Sequence, residues 1–328
     1  GSFNHRFAQP SRHSSGHTDV FYPTEQFPFN DLPQTDSVTG KTVGLLDRCE
    51  AQGVTPRIFY TNTSTEYWNR GASLVHTDVA GAQDVALPEC VRVYHFASTQ
   101  HGPGEIPAGA RETWPPNPVN FRYVLRALLV AMDAWVRDGE APPESRYGSI
   151  SEGTLVRAAA VSFPKIPEVD LLKRMRVPLR LNHGDSWKEG TISKEPPDLG
   201  APYGVLVPAL DIDGNEVTGI RMPEELVPLG TFTGWRFRPA NHGASDAMVG
   251  LAGMWVPFAR TEVERETRAD SRPSVEARYA NQEAYVGCVA RAALELVEAR
   301  LILPQDVTQV LRRAEKMYTW VMEEGITP

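Results

Sequence analysis

The sequence predicts an α/β protein from three observations. Two short β-rich runs, at 57–61 and 91–97, each lead into a long loop, and a helical pattern follows at 120–137. Short β runs rich in proline then dominate from about 148 to 240. Helical periodicity returns after Ser274. This order is typical of the end of an α/β sheet, followed by an appended region that is first β-rich and then helical.

Composition argues against several classes of protein. The 328 residues are 41% hydrophobic and 23% charged, which is ordinary for a globular chain. The formal net charge of −8 disfavours nucleic-acid binding, because phosphate binding needs clustered Lys and Arg. No apolar run approaches the roughly 18–20 residues that span a bilayer. Three widely spaced cysteines indicate neither a disulfide framework nor a zinc site, and they identify no compartment.

Individual elements of the first half follow from local patterns. Residues 1–40 lack periodicity but are rich in aromatics, which indicates a packed irregular segment. Apolar spacing predicts a short helix at 42–52. A longer helix is predicted at 120–137, with Gly139 just past its end. The apolar stripe predicted to face the core on this helix consists of Leu125, Leu128, Leu129, Met132 and Val136.

The second half shows one strong turn signal and two helical patterns. Asp213-Gly214 separates two apolar runs and predicts a β-hairpin over 205–220. A helix is predicted at 281–300, and Pro304 marks the start of a second helix that runs to about Met322.

The candidate chemistry lies where the two predicted strands end. Glu66 follows the first strand by a few residues, and His101 follows the second on a glycine-flanked loop. Ligands of open α/β sheets bind beyond the carboxyl ends of the strands. An acid followed by a histidine, each after a strand, matches the chain order of the last two members of one class of Ser–acid–His triad. In such a triad the acid orients the imidazole, and the imidazole carries the serine proton.

Other residues compete for these roles. Asp78 is the alternative acid, although it lies further from the strand end. Asp47 and Glu50 are expected on the polar side of a short helix, and His95, inside the second strand, is expected to be a core histidine. Tyr67 and Trp68 flank the acid and are candidates for the wall of an apolar substrate pocket.

The N-terminal segment carries its own cluster, formed by His5, His13, His17 and Asp19. The spacing of His13 and His17 would suit a metal site on a helix, but Ser14, Ser15 and Gly16 between them oppose a helix. We therefore expect no metal here, and interpret the segment as a loop at the mouth of the active site. In that interpretation His17 and Arg12 contact the substrate.

Several segments resemble a bacterial family that is called only "alpha/beta hydrolase domain" and whose members are mostly uncharacterised. The segments are 1–12, 17–24, 58–68, 98–104, 135–145, 233–235 and 257–261. The resemblance implies that 1–147 are the C-terminal part of an α/β-hydrolase domain and that 148–328 are an appended β-rich and helical subdomain. It also implies that His101 is the catalytic histidine and Glu66 its acid.

One departure from that pattern concerns the nucleophile. The chain contains no Gly-x-Ser-x-Gly, the motif that forms the strained turn of a nucleophile elbow, and it opens without an initiator Met. We therefore expect the serine upstream of residue 1, on the N-terminal remainder of the same polypeptide, and expect this chain alone to be inactive. The expected substrate is a small carboxylic ester and no cofactor is implied. Two alternatives stay open, a non-catalytic binding module and a metal site at the N-terminal cluster.

Overall fold

The computed structural model describes residues 26–109, 114–173, 175–189, 191–238 and 248–325. The strands are β1 (Gln34–Asp36), β2 (Lys41–Val43), β3 (Ile58–Thr63), β4 (Val91–Phe96), β5 (Leu155–Val156), β6 (Leu179–Asn182), β7 (Asp198–Pro202), β8 (Val207–Pro208), β9 (Gly230–Phe232) and β10 (Trp255–Pro257). The helices are α1 (Asp47–Ala51), α2 (Ser64–Arg70), α3 (Arg122–Asp138), α4 (Pro223–Leu226), α5 (Glu262–Arg268), α6 (Val275–Arg278), α7 (Gln282–Glu298) and α8 (Val307–Thr319). The mixed α/β class predicted from the sequence is confirmed.

A parallel pair of strands lies at the centre of the first half. β3 and β4 run side by side in register, with Ile58 opposite Val91 and Thr63 opposite Phe96. The other edge of β4 makes two isolated parallel bridges. Tyr94 pairs with Arg146, and Phe96 pairs with Ile220. Most β4 side chains are buried on both faces, as expected for an interior parallel strand. The carboxyl ends of β3 and β4 therefore meet at one edge.

The remaining sheets are small antiparallel pairs, β1 with β2, β5 with β8, β6 with β7, and β9 with β10. The predicted hairpin over 205–220 is only partly correct. Its turn forms, since Asp211 N donates to Asn215 O at 2.8 Å. The inner ends of its arms also pair, since Val217 N donates to Ala209 O at 3.0 Å, but the outer ends pair elsewhere, because β8 joins β5 and Ile220 joins β4. Tertiary partners outcompete local pairing in strands this short.

Helix α3 packs on the parallel pair through aromatic contacts. Trp135 stacks on Phe59 with ring centroids 5.6 Å apart, and Phe59 contacts Tyr94 at 5.1 Å. Of the predicted core stripe only Leu128 is fully buried, since Met132 is half-buried, Leu129 is 72% exposed and Val136 is 63% exposed. The buried residues of this helix are Val124, Ala127, Leu128, Ala131 and Trp135. Both faces of α3 carry apolar residues at helical spacing, and the position of the sheet selects the one that is buried.

Two other helix predictions have different outcomes. The helix expected at 42–52 is shorter, because Lys41–Val43 pair with β1 and α1 begins only at Asp47. The helix expected at 281–300 is confirmed as α7, where the Asn281 side chain caps the first turn by accepting from Ala284 N. Among the described residues, no helix is both long and apolar enough to cross a membrane.

One hydrophobic cluster joins the two halves of the chain. It contains Tyr94 and Val124 from the first half, and Ile220, Tyr285 and Met317 from the second. The strand that leads to His101 is therefore packed against residues more than a hundred positions away. The domain boundary at 147/148 stays a prediction.

Candidate active site

Glu66 lies at the junction between strand β3 and helix α2. The strand ends at Thr63, which is also the N-cap of the helix, and Glu66 occupies the third helical position. Its Oε2 accepts hydrogen bonds from Thr63 N at 2.7 Å and from the Thr63 hydroxyl. This is the capping box that a Thr followed by a Glu three residues later is expected to form. The local sequence thus holds the carboxylate directly above the strand end.

His101 lies in the loop that follows β4. Its backbone N–H donates to Leu251 O at 3.3 Å, and the neighbouring Gln100 side chain accepts from Gly253 N at 3.1 Å. A third bond joins this loop to the acid's helix, because Thr65 N donates to Thr99 O at 3.3 Å. Residues from the second half of the chain therefore help to hold the histidine loop in place.

The acid and the histidine are in direct contact. Glu66 Oε1 lies 2.6 Å from His101 Nδ1. The side chain of Glu66 is 18% exposed and that of His101 is 44% exposed, so the pair lies at the surface with the ring open to solvent. Asp78, the alternative acid, instead accepts backbone hydrogen bonds from Ala82 and Gln83 within its own turn.

The contact shifts the pKa of both groups. The hydrogen bond to Glu66 raises the pKa of His101 above 6.5, although partial burial opposes this. Burial raises the pKa of Glu66, but the hydrogen bonds from His101 and Thr63 outweigh it and the net pKa lies below 4.5. Glu66 is therefore anionic at neutral pH. It favours the tautomer in which Nδ1 carries the proton and Nε2 is free to accept one.

A family model described as "Alpha/beta hydrolase domain" matches residues 2–312. The chain belongs to the alpha/beta hydrolase domain family. The resemblance seen in the sequence segments is thereby confirmed, and membership supports a hydrolase fold and hydrolase chemistry in general. Searches of curated proteins and of solved structures found no match.

Two predicted substrate contacts of this hydrolase-family chain are not accessible in the structure. Tyr67 and Trp68 are both buried. The Tyr67 hydroxyl is 2.8 Å from His76 Nε2, and Trp68 Nε1 donates to Glu216 Oε1 at 3.1 Å. Helix α2 turns these side chains inward, opposite to Glu66, so they pack beneath the site and do not line its mouth.

The other predicted contacts, Arg12 and His17, lie outside the described residues. The alternative metal site at His5, His13, His17 and Asp19 also lies there. Within the part of the chain that the structure describes, no group of three or more His, Cys, Asp or Glu side chains is arranged to hold a metal ion.

A short segment named by the resemblance, Thr-Gly-Trp at 233–235, supports the acid's helix. Gly234 O accepts from the Thr65 hydroxyl at 2.6 Å. A Cβ added at Gly234 would lie 2.3 Å from Ser64 Oγ and 2.5 Å from Thr65 N, so only glycine allows this approach. Trp235 packs near Trp68, with ring centroids 6.3 Å apart.

A second histidine–glutamate pair lies below the first. His95 Nε2 is 3.1 Å from Glu216 Oε2, although the two groups are not aligned as a hydrogen bond. Both residues are buried, which confirms His95 as a core histidine. Sequence reasoning assigned no role to Glu216. The signal that could have identified Glu216 was its position as an acid beside apolar residues in one arm of the predicted hairpin.

Proposed function

We propose that this chain supplies the acid and the base of a Ser–acid–His triad in a carboxylic ester hydrolase, with the nucleophilic serine upstream of residue 1. The observation that carries the proposal is the 2.6 Å contact between Glu66 Oε1 and His101 Nδ1. It is supported by the order of acid and histidine on two adjacent parallel strands, and by the exposure of the histidine ring.

In this mechanism His101 acts as general base and then as general acid. Nε2 takes the serine proton as the serine oxygen attacks the ester carbonyl, and Glu66 stabilises the imidazolium that forms. His101 then gives that proton to the leaving alcohol as the carbon–oxygen bond breaks, which leaves an acyl-enzyme. Water attacks the acyl group with His101 again as base. The carboxylic acid leaves and the serine regains its proton. An amide or a lactone could enter the same cycle.

The raised pKa of His101 sets the pH dependence. Only the neutral imidazole can act as base, and Glu66 holds the pKa of His101 above 6.5. We therefore expect kcat/KM to be level above that elevated pKa and to fall about tenfold for each pH unit below it.

The proposed position of the nucleophile depends on the absence of one sequence motif. No Gly-x-Ser-x-Gly occurs in the 328 residues, and neither Ser14-Ser15-Gly16 nor 148–151 has the flanking small residues of a nucleophile elbow. The proposal therefore makes the N-terminal remainder of the polypeptide the intramolecular partner of this chain, and a small ester its substrate. The triad and backbone oxyanion donors are sufficient for the reaction, so the proposal invokes no cofactor.

The test uses the longer polypeptide with its upstream region. A fluorophosphonate probe should label it, and it should hydrolyse fluorogenic short-chain esters. His101→Ala should abolish both activities, and Glu66→Gln should lower kcat on the order of 10²- to 10⁴-fold. Glu295→Gln, an exposed substitution of the same type on α7, should change neither. A longer polypeptide that is neither labelled nor active would favour the binding-module alternative.

A further inference from the structure

The buried Glu216 makes contacts that point directly at the site above it. Its Oε1 accepts from Ser64 Oγ at 2.6 Å and from Trp68 Nε1 at 3.1 Å. Its Oε2 accepts from Ser98 N at 2.6 Å and lies 3.1 Å from His95 Nε2. Both oxygens are therefore occupied, and the carboxylate is closed to solvent.

A buried carboxylate such as that of Glu216 destabilises the fold unless its charge is compensated. Removing a carboxylate from water is strongly unfavourable, so a buried anion requires partners on both oxygens. Burial raises the pKa of Glu216, but His95 and the hydrogen bonds from Ser64 and Ser98 bring the net pKa below 4.5. The site thus maintains an anion at a depth where no substrate reaches it.

The three residues that donate hydrogen bonds to Glu216 belong to the helix that carries the acid and the loop that carries the histidine. Ser64 and Trp68 lie two residues before and two residues after Glu66, on the opposite side of the first turns of α2. Ser98 precedes His101 by three residues in the loop after β4. One carboxylate therefore ties the acid's helix to the histidine's loop.

The backbone of Ser98 shows that this tie holds an otherwise unfavourable conformation. Ser98 has φ of 49°, in the left-handed region that residues other than glycine rarely adopt. Each of its polar groups is bound. Its N–H donates to Glu216, its hydroxyl accepts from Glu216 N at 2.8 Å, and its carbonyl accepts from Asn117 Nδ2 at 2.6 Å. The turn directs the chain from β4 toward His101.

We propose that Glu216 is a positioning residue that sets the separation of Glu66 and His101 by clamping helix α2 to the loop at Ser98. It acts through these two elements and touches no substrate. This inference deepens the proposed function and rests on it for its catalytic meaning. The clamp itself can be tested without any assay of hydrolysis.

The test compares Glu216→Gln with wild type. A glutamine side chain has an NH₂ group in place of one carboxylate oxygen, and this group faces either the donors Ser64 and Trp68 or the donor Ser98 N. The hydrogen bonds on that side are lost, so the contact to either helix α2 or the loop at Ser98 is broken. We expect the pKa of His101, followed by NMR titration of the imidazole, to fall by about 0.5–1 unit as its contact with Glu66 loosens. Glu225→Gln controls for the replacement of a buried glutamate, although not for the loss of a charge, because Glu225 is equally buried but binds Met222 N at the N-cap of helix α4.

A double-mutant cycle separates positioning from the loss of a charge. If Glu216 acts through Glu66, then adding Glu216→Gln to Glu66→Gln should leave the pKa of His101 unchanged. An equal fall in both backgrounds would overturn the proposal, because it would show a direct field effect. An unaltered His101 pKa in a folded Glu216→Gln variant would also overturn it. Should that variant fail to fold, Ser64→Ala removes a single contact of the clamp and should give a smaller shift in the same direction.

Hydrolysis in the longer polypeptide provides the second readout. Misplacement of a catalytic pair by about 1 Å can cost on the order of 10²-fold, so Glu216→Gln should lower kcat by about 10- to 100-fold with little change in KM. Unchanged kcat in an active, folded variant contradicts the clamp. If the wild-type polypeptide is inactive, the proposed function fails, while the His101 titration still decides whether Glu216 positions the pair.

Discussion

Replacing Glu66 by Gln removes the charge that faces His101 while keeping almost the same shape. The glutamine carbonyl can still accept from Nδ1, and Gln is also accepted at the third position of a capping box, so helix α2 should persist. The variant therefore isolates the electrostatic part of the 2.6 Å contact between Glu66 and His101. It requires neither the nucleophile nor a substrate.

The size of the effect follows from the distance and the exposure. Opposite charges about 4 Å apart interact by about 1 kcal/mol in water and about 4 kcal/mol at an effective dielectric constant near 20. Because the His101 ring is 44% exposed, solvent screening places the pair toward the lower value. About 1.4 kcal/mol corresponds to one pKa unit, so the His101 pKa should fall by roughly 1 unit in Glu66→Gln.

The assay is an NMR titration of the histidine imidazole resonances, with His101→Ala to assign the signal. Glu295→Gln, on the exposed face of α7, serves as the control and should leave the titration where it is. A His101 pKa that is the same in wild type and Glu66→Gln would refute the reasoning, because the two groups would then not be in contact in solution.

The same pair also contributes to stability in a defined pH range. His101 has its pKa raised above 6.5, so its contribution is complete below that value and is lost as the pH rises through the elevated pKa. Glu66 has its pKa lowered below 4.5, so its contribution is present above that value and is lost as the pH falls through the depressed pKa. The free energy of unfolding of wild type should exceed that of Glu66→Gln most between about pH 4.5 and 6.5, by about 1 kcal/mol.

Three further predictions concern packing and activity. Trp135→Ala should destabilise the protein by about 3–5 kcal/mol in urea denaturation, whereas the exposed Val136→Ala on the same helix should stay within about 0.5 kcal/mol; similar midpoints would contradict the observed burial of α3. Gly234→Ala should lower the free energy of unfolding by about 1–3 kcal/mol, because the added Cβ would meet backbone atoms. Gly102→Ala should leave the free energy of unfolding unchanged, because the space around Gly102 is open. The 328-residue chain alone should not turn over a fluorogenic ester. Turnover that a serine-directed inhibitor abolishes would locate the nucleophile within the chain.

The sequence by itself determined the features that depend on neighbouring residues. The two strands that precede Glu66 and His101 were readable because short β runs are local patterns, but helix α2, which carries Glu66, forms where a long loop was expected. The helix end at Gly139 was readable for the same reason, since the cap acts within a few residues of its own helix. The pairing of an acid with a histidine followed from two strands ending in succession.

Only the tertiary structure decided which surfaces are buried and which distant residues meet. Helix α3 has apolar residues on two faces, and the place of Trp135 against Phe59 selected one of them. Glu216 reaches Ser98 across 118 positions and Ser64 across 152. Contacts between residues so far apart in sequence depend on the packing of the whole chain, and no local sequence pattern predicts them. The sequence therefore singled out Glu66 and His101 as candidates, while the fold revealed the buried carboxylate of Glu216 beneath them.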